Sequence, residues 1–262
     1  MSDTELVSVI TPTFGRPDML PAAYGLFRDQ TYPALEWIVI DDSPERCAFF
    51  DELDDPRVKY IHLGERQSTG SKRNLGISHS KGSIIVQFDD DDYYHPQYVS
   101  AMVRSLHQGN ADLVKLVSFF VLHKATGSLG FWDLRIKEGN HFSFSPLENV
   151  SAGHGLTDEE REDIHLGYGF SYVFKRSVWE ASRFDDKFWN QDTPFVKKAI
   201  ENGFKVAFLE DQIGLCLHII HDRNVSKSFP QYLFPQFMLK RYFPKIQDYL
   251  SLCPQVDGTT AG

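Results

Sequence analysis

The chain has 262 residues, 42% of them hydrophobic and 24% charged, with a formal net charge of -9. This mixture can bury a large core and excludes a disordered or fibrous chain. The negative balance argues against a non-specific nucleic-acid binder, which needs an excess of Lys and Arg facing phosphate, and leaves room only for a local basic patch.

Two apolar runs open the chain, Leu6 to Ile10 and Trp37 to Ile40, each ending in polar residues and separated by a segment of helical length, which predicts a β-α-β start. A strand over Val58 to Leu63, a helix over Ser71 to Ser80 and a strand over Ser83 to Phe88 follow. The last run is continuous rather than alternating, as in a strand covered on both faces of a parallel sheet. Pro96 suits a helix first turn, and Tyr98, Val99, Met102, Val103 and Leu106 continue it at helical spacing before a long strand over Leu113 to Leu122. From His123 to Gly167 the periodicity fades, which predicts an irregular binding excursion. Beyond it come a strand over Tyr168 to Phe174, a helix over Pro194 to Asn202 closed by Gly203, strands over Lys205 to Leu209 and Leu215 to Ile219, and an aromatic-rich helix from about Gln231 to Leu250. The expected fold class is a single α/β domain over 1–253 with a mainly parallel, Rossmann-like central sheet flanked by helices, followed by a disordered tail over 254–262.

The start of the chain is acidic where a signal peptide is basic, and no run approaches the roughly 20 apolar residues of a membrane span. Cys47, Cys216 and Cys253 are odd in number and form no C-x-x-C pair. Together these features predict a cytoplasmic, reduced protein with no transmembrane segment.

Ligands of an open parallel sheet bind beyond the carboxyl ends of its strands. Three such places are polar: Thr11-Pro12-Thr13, Asp41-Asp42-Ser43 and Asp89-Asp90-Asp91-Asp92. Taken alone, the first reads better as a plain turn and the second just as easily as a helix cap. Four carboxylates together repel one another unless a cation or donors compensate, and hard ions such as Mn2+ or Mg2+ take oxygen ligands that they share with phosphates. Strand alternation places Asp89 and Asp91 on one side and Asp90 and Asp92 on the other. Gly70-Ser71-Lys72-Arg73-Asn74 opens a helix whose free amides, with Lys72 or Arg73, attract an anion; the plainer alternative is a solvated basic face. Asp192 can cap the helix beginning near Pro194, and His218 within its strand is expected to be buried.

In order and spacing, VSVITPTF, VIDDSP, GSKRNLGISHSKG, FDDDDYYHP, YGFSYVFKRSVWE, Gln191-Asp192 and HDRNVS resemble the family-2 glycosyltransferases of GT-A fold, from Val7 to Ser226. The resemblance implies inverting transfer of a sugar from a nucleotide-sugar donor, usually of uridine diphosphate, to a glycan or other hydroxyl acceptor, with Mn2+ or Mg2+ as cofactor. It implies a nucleotide-binding half over 1–122 and an acceptor-binding half over 123–253. It places Thr11, Pro12, Thr13, Asp42, Lys72, Arg73, Asp89 and Asp90 at the nucleotide, Asp91 and His221 at the metal, and Asp192 as the base. Trp189 and Gln191 fall beside the acceptor or donor sugar, and Gln191 stands where the family has Glu. Two other readings remain: a non-catalytic nucleotide-sugar or glycan-binding module, and a nucleotidyltransferase. The stretch Thr11 to Arg16 is poor in Gly for the latter.

Overall fold

The computed structural model describes residues 4–224 and 226–252, so the tail expected over 254–262 lies outside the described residues. Its first half is an alternation of strands and helices: β1 (Val7–Thr13), α1 (Leu20–Arg28), β2 (Leu35–Asp41), β3 (Val58–His62), α2 (Thr69–Ser78), β4 (Ile84–Gln87), β5 (Tyr93–Tyr94), α3 (Tyr98–Gln108) and β6 (Leu113–His123). β1 runs parallel to both β2 and β4, and β2 parallel to β3. The continuous apolar runs are explained by layers on both faces. Val7, Val9, Trp37, Val39, Ile84 and Val86 join the core beneath α1 and α3, whereas Ile10, Ile38, Ile40 and Ile85 join the core beneath α2.

The second half is more regular than its composition predicts. Residues 123–167 hold β7 (Ser128–Asp133), β8 (His141–Ser143), β9 (Ser151–His154) and α4 (Asp158–Ile164). β7 returns antiparallel along β6 as part of the main sheet, across a turn whose Gly127 takes φ 67. The expected strand over 168–174 is also shorter. Tyr168 sits at φ 64 and Gly169–Ser171 forms a 3-10 turn, so only β10 (Val173–Lys175) is extended, antiparallel to both β4 and β6. Then come α5 (Arg176–Ala181), α6 (Asp192–Glu201), β11 (Val206–Glu210), β12 (Cys216–Ile220), β13 (Tyr232–Phe234), α7 (Phe237–Tyr242) and α8 (Ile246–Leu252). The long helix expected from Gln231 is thus a strand and two short helices, because Pro235 and Pro244 each remove an amide donor and disfavour helix just before themselves.

β6 is fully buried and long enough to take four partners, β10 and β11 along its first half and β7 and β12 along its second. The strand order is β13-β7-β6-β10-β4-β1-β2-β3. Cys47 and Cys216 are buried free thiols. Among the described residues no helix is long and apolar enough to cross a membrane.

Candidate active site

The parallel register sets Thr13 beside Asp41, with β4 alongside β1. The ends of β1 and β4 therefore open into one cleft of about 800 Å³, lined by Pro12, Thr13, Lys72, Arg73, Asp89, Asp90, Asp91, Trp189, Gln191 and Asp192 among others, while Asp42 after β2 is buried behind Lys72 and Arg66. Thr11 is not part of that wall. Its side chain points into the core and its hydroxyl accepts the indole N–H of Trp37 at 2.8 Å.

Lys72 and Arg73 do not form the solvated face of a helix; both are buried. Lys72 donates to Asp42 at 2.6 Å and to the Thr13 carbonyl at 2.8 Å. Asp42 also receives Arg66 and the Gln67 amide. Arg66 lies over the Phe14 ring, 3.3 Å from its centroid, at the cleft mouth, where Trp189 stands 59% exposed. Arg73 pairs with Asp192 and reaches Asp89 at 3.5 Å, spanning the two acidic parts of the cleft.

Beyond β4 the chain turns, and the expected alternation fails at its last member. Asp90 accepts from Thr13 and shares the Arg16 guanidinium with Asp91, each carboxylate 2.6 Å from the same nitrogen. Asp92 does not join it: one oxygen each of Asp89, Asp91 and Asp92 can be chosen within 4.8 Å of one another. The turn breaks the period of two, and β5 pairs antiparallel with β12, Tyr93 opposite Leu217. Extending that register brings Asp92 to His218, whose Nδ1 lies 2.8 Å from the carboxylate. His218 is buried as expected, with its ring stacked on Phe170 at 4.9 Å.

Three oxygens so placed are the donor set that a hard divalent ion takes, and crowded carboxylates are what such an ion relieves, so the residues fit Mn2+ or Mg2+. His221 touches the group through Asp91, with Nε2 3.2 Å from its carboxylate. The electrostatics are uneven. Burial works to raise the Asp91 carboxyl, but Arg16 and then His221 hold it below the usual range. Asp89 is pushed up to about 7 by desolvation, and further by Asp91, Asp92 and Asp192, against the pull of Arg73.

Asp192 begins α6 but does not cap it. Its carboxylate turns away from the helix to Arg73 and to the Gly169 amide, which donates at 3.0 Å. The left-handed Tyr168 aims that amide. Lys115, buried on β6, fixes the preceding loop by donating to the carbonyls of His165 and Gly167; burial lowers its ammonium to about 7, with Asp192 opposing. Gln191 is buried in the cleft wall with its carbonyl oxygen unmatched. Arg16 and Gly169 escape sequence reasoning, which also leaves Asp92 without a partner of its own and gives His218 burial but no role in the site. A Cβ on Gly169 would overlap the Asp192 carboxylate and come within 2.6 Å of Arg73. Gly169→Ala is therefore expected to leave nucleotide affinity intact while displacing Asp192, costing turnover about a hundredfold. Unchanged steady-state turnover would show that Asp192 is not held there for the reaction.

The mixed sheet, with parallel central strands that gather these carboxylates at their ends, has the GT-A fold of the glycosyltransferases it resembles. The chain is a member of glycosyl transferase family 2, whose model matches residues 8–180 and so ends before Asp192 and His221. The Streptococcus pneumoniae glycosyltransferase GlyA is 24% identical over 213 residues, 79% of this chain and 30% of that protein. The Campylobacter jejuni GalNAc(5)-diNAcBac-PP-undecaprenol beta-1,3-glucosyltransferase is 28% identical over 210 residues, 76% of this chain and 62% of that one. The chain thus spans less than two thirds of these relatives. Among solved structures, Staphylococcus aureus TarS 1–349 with UDP superposes with a TM-score of 0.61 at 17% identity, covering 82% of this chain and 60% of that one. The mannosyltransferase PcManGT from Pyrobaculum calidifontis, with GDP-Man and Mn2+, gives 0.61 at 17% identity, covering 85% and 59%.

Proposed function

We propose that this chain is an inverting, metal-dependent cytoplasmic glycosyltransferase moving a sugar from a nucleotide diphosphate, by preference uridine diphosphate, to an acceptor hydroxyl. The observation that carries the reading is the cleft itself, where the carboxylates after β4 and the oriented Asp192 face one space. Pro12, Thr13 and Asp42 serve the nucleoside, Asp89 the ribose or the ion, and Asp91, joined by Asp92 and His221, the ion. An ion held there would supply positive charge against the diphosphate. Residues 1–122 carry the nucleotide contacts and 123–253 the acceptor side, with His221 reaching back to Asp91. Trp189 and Gln191 border the acceptor.

Asp192 takes the acceptor's hydroxyl proton while that oxygen bonds to the anomeric carbon from the face opposite the diphosphate. The bond from carbon to diphosphate breaks, and its electron pair leaves with the phosphate. Donor class is tested by thermal shift in manganese: uridine diphosphate is expected to raise the melting temperature more than guanosine or adenosine diphosphate at equal concentration. A guanine preference would move the donor assignment, and no shift with any of them would remove the donor reading.

A further inference from the structure

His218 has one nitrogen occupied and one idle. Nδ1 is bound to Asp92, while Nε2, buried on a cleft-lining side chain, has no partner. A buried polar nitrogen left unmatched is costly, and at a binding site a ligand is the natural partner. The position narrows which part of a ligand. Through Asp92 the ring touches the carboxylate group after β4, and through Phe170 it stacks on the residue following Gly169, the amide that holds Asp192. Between a leaving diphosphate and a base lies the sugar in transit.

Resting on the donor reading above, we propose that His218, oriented by Asp92, is a donor-sugar contact, with Nε2 hydrogen-bonded to a hydroxyl of the transferred sugar. A hydroxyl both donates and accepts, so it matches Nε2 whether or not that nitrogen carries a proton, whereas a phosphate oxygen only accepts. Phe170 stacked on the imidazole and Tyr168 and Phe119 packed edge-to-face against it hold the ring in one orientation, and Phe170 and Tyr168 line the cleft beside it.

Two substitutions separate the nitrogens. His218→Asn places an amide where Nδ1 was, keeping the Asp92 bond and deleting the Nε2 position; His218→Gln places its amide near Nε2. Affinities are measured by calorimetry in manganese for uridine diphosphate and for whichever of UDP-glucose, UDP-N-acetylglucosamine and GDP-mannose the wild type binds tightest, with GDP replacing uridine diphosphate for the last. His218→Asn is expected to leave the bare nucleotide within about twofold and weaken the sugar nucleotide about tenfold, with His218→Gln recovering part of the loss. Parallel loss of both ligands would mean a phosphate or metal contact, and no loss of either would place Nε2 on the acceptor; each overturns the proposal. A wild type binding none of these nucleotides would overturn the donor reading instead.

Discussion

Asp91→Asn is expected to reduce the manganese-supported affinity for uridine diphosphate by about a hundredfold or more, to the level found in excess chelator. Of the carboxylates after β4, Asp91 is the one that Arg16 and His221 hold below the usual carboxylate range, and it belongs to the group whose oxygens come within 4.8 Å of one another. The amide keeps the size, and it keeps an oxygen for Arg16 and Asn224, which donate to Asp91 at 2.6 Å and 3.1 Å. What disappears is the charge that a cation needs. Asp90→Asn supplies the comparison, since Asp90 is turned toward Thr13 and outside that group. Its effect is expected to be several-fold at most. Titrations of both variants with and without manganese decide the matter. Equal losses would mean that the ion is bound by a different set, and full wild-type affinity in chelator would remove the ion from nucleotide binding.

The parts of this site that were legible in the sequence are those carried by strands covered on both faces. A continuous apolar run such as Ile84–Val86 announces its own end, and among parallel strands that end is where ligands lie, so the acidic turn after β4 and the polar ends of β1 and β2 could be read directly. What was illegible depends on contacts between segments far apart in the chain. Arg16 reaches across 74 residues to Asp90, and Asp92 meets His218 only because a two-residue strand pairs with β12. Neither leaves a periodic trace. β7 was missed for another reason: it is interrupted by Gly130 packed against Pro230 and buries only part of its length, so its pattern is weak although its turn, Lys124 to Gly127, has hairpin length. Asp192 stood out as the base only through the family resemblance, its own residues reading as a helix cap; its turn toward Gly169 depends on a left-handed Tyr168 that no propensity signals.

Asp192→Asn is expected to lower turnover by about 10²- to 10⁴-fold, the usual contribution of a general base, while nucleotide affinity stays near the wild-type value. The argument rests on what holds the side chain. The Gly169 amide donates to one oxygen and Arg73 pairs with the other, so the carboxylate is oriented, and its 23% exposure leaves it open to the cleft. Asparagine can still accept from the Gly169 amide, so the loop should stay in place. Arg73 then loses a charged partner but retains Asp89, and because Arg73 is buried the melting temperature should fall by a few degrees rather than stay unchanged. The separation is therefore kinetic: calorimetric affinity for uridine diphosphate near normal, kcat reduced, and the wild-type product inverted at the anomeric carbon by NMR. Turnover retained by the folded variant would exclude Asp192 as the base. A product of retained configuration would exclude the single displacement itself, because attack from the face opposite the diphosphate can only invert the carbon.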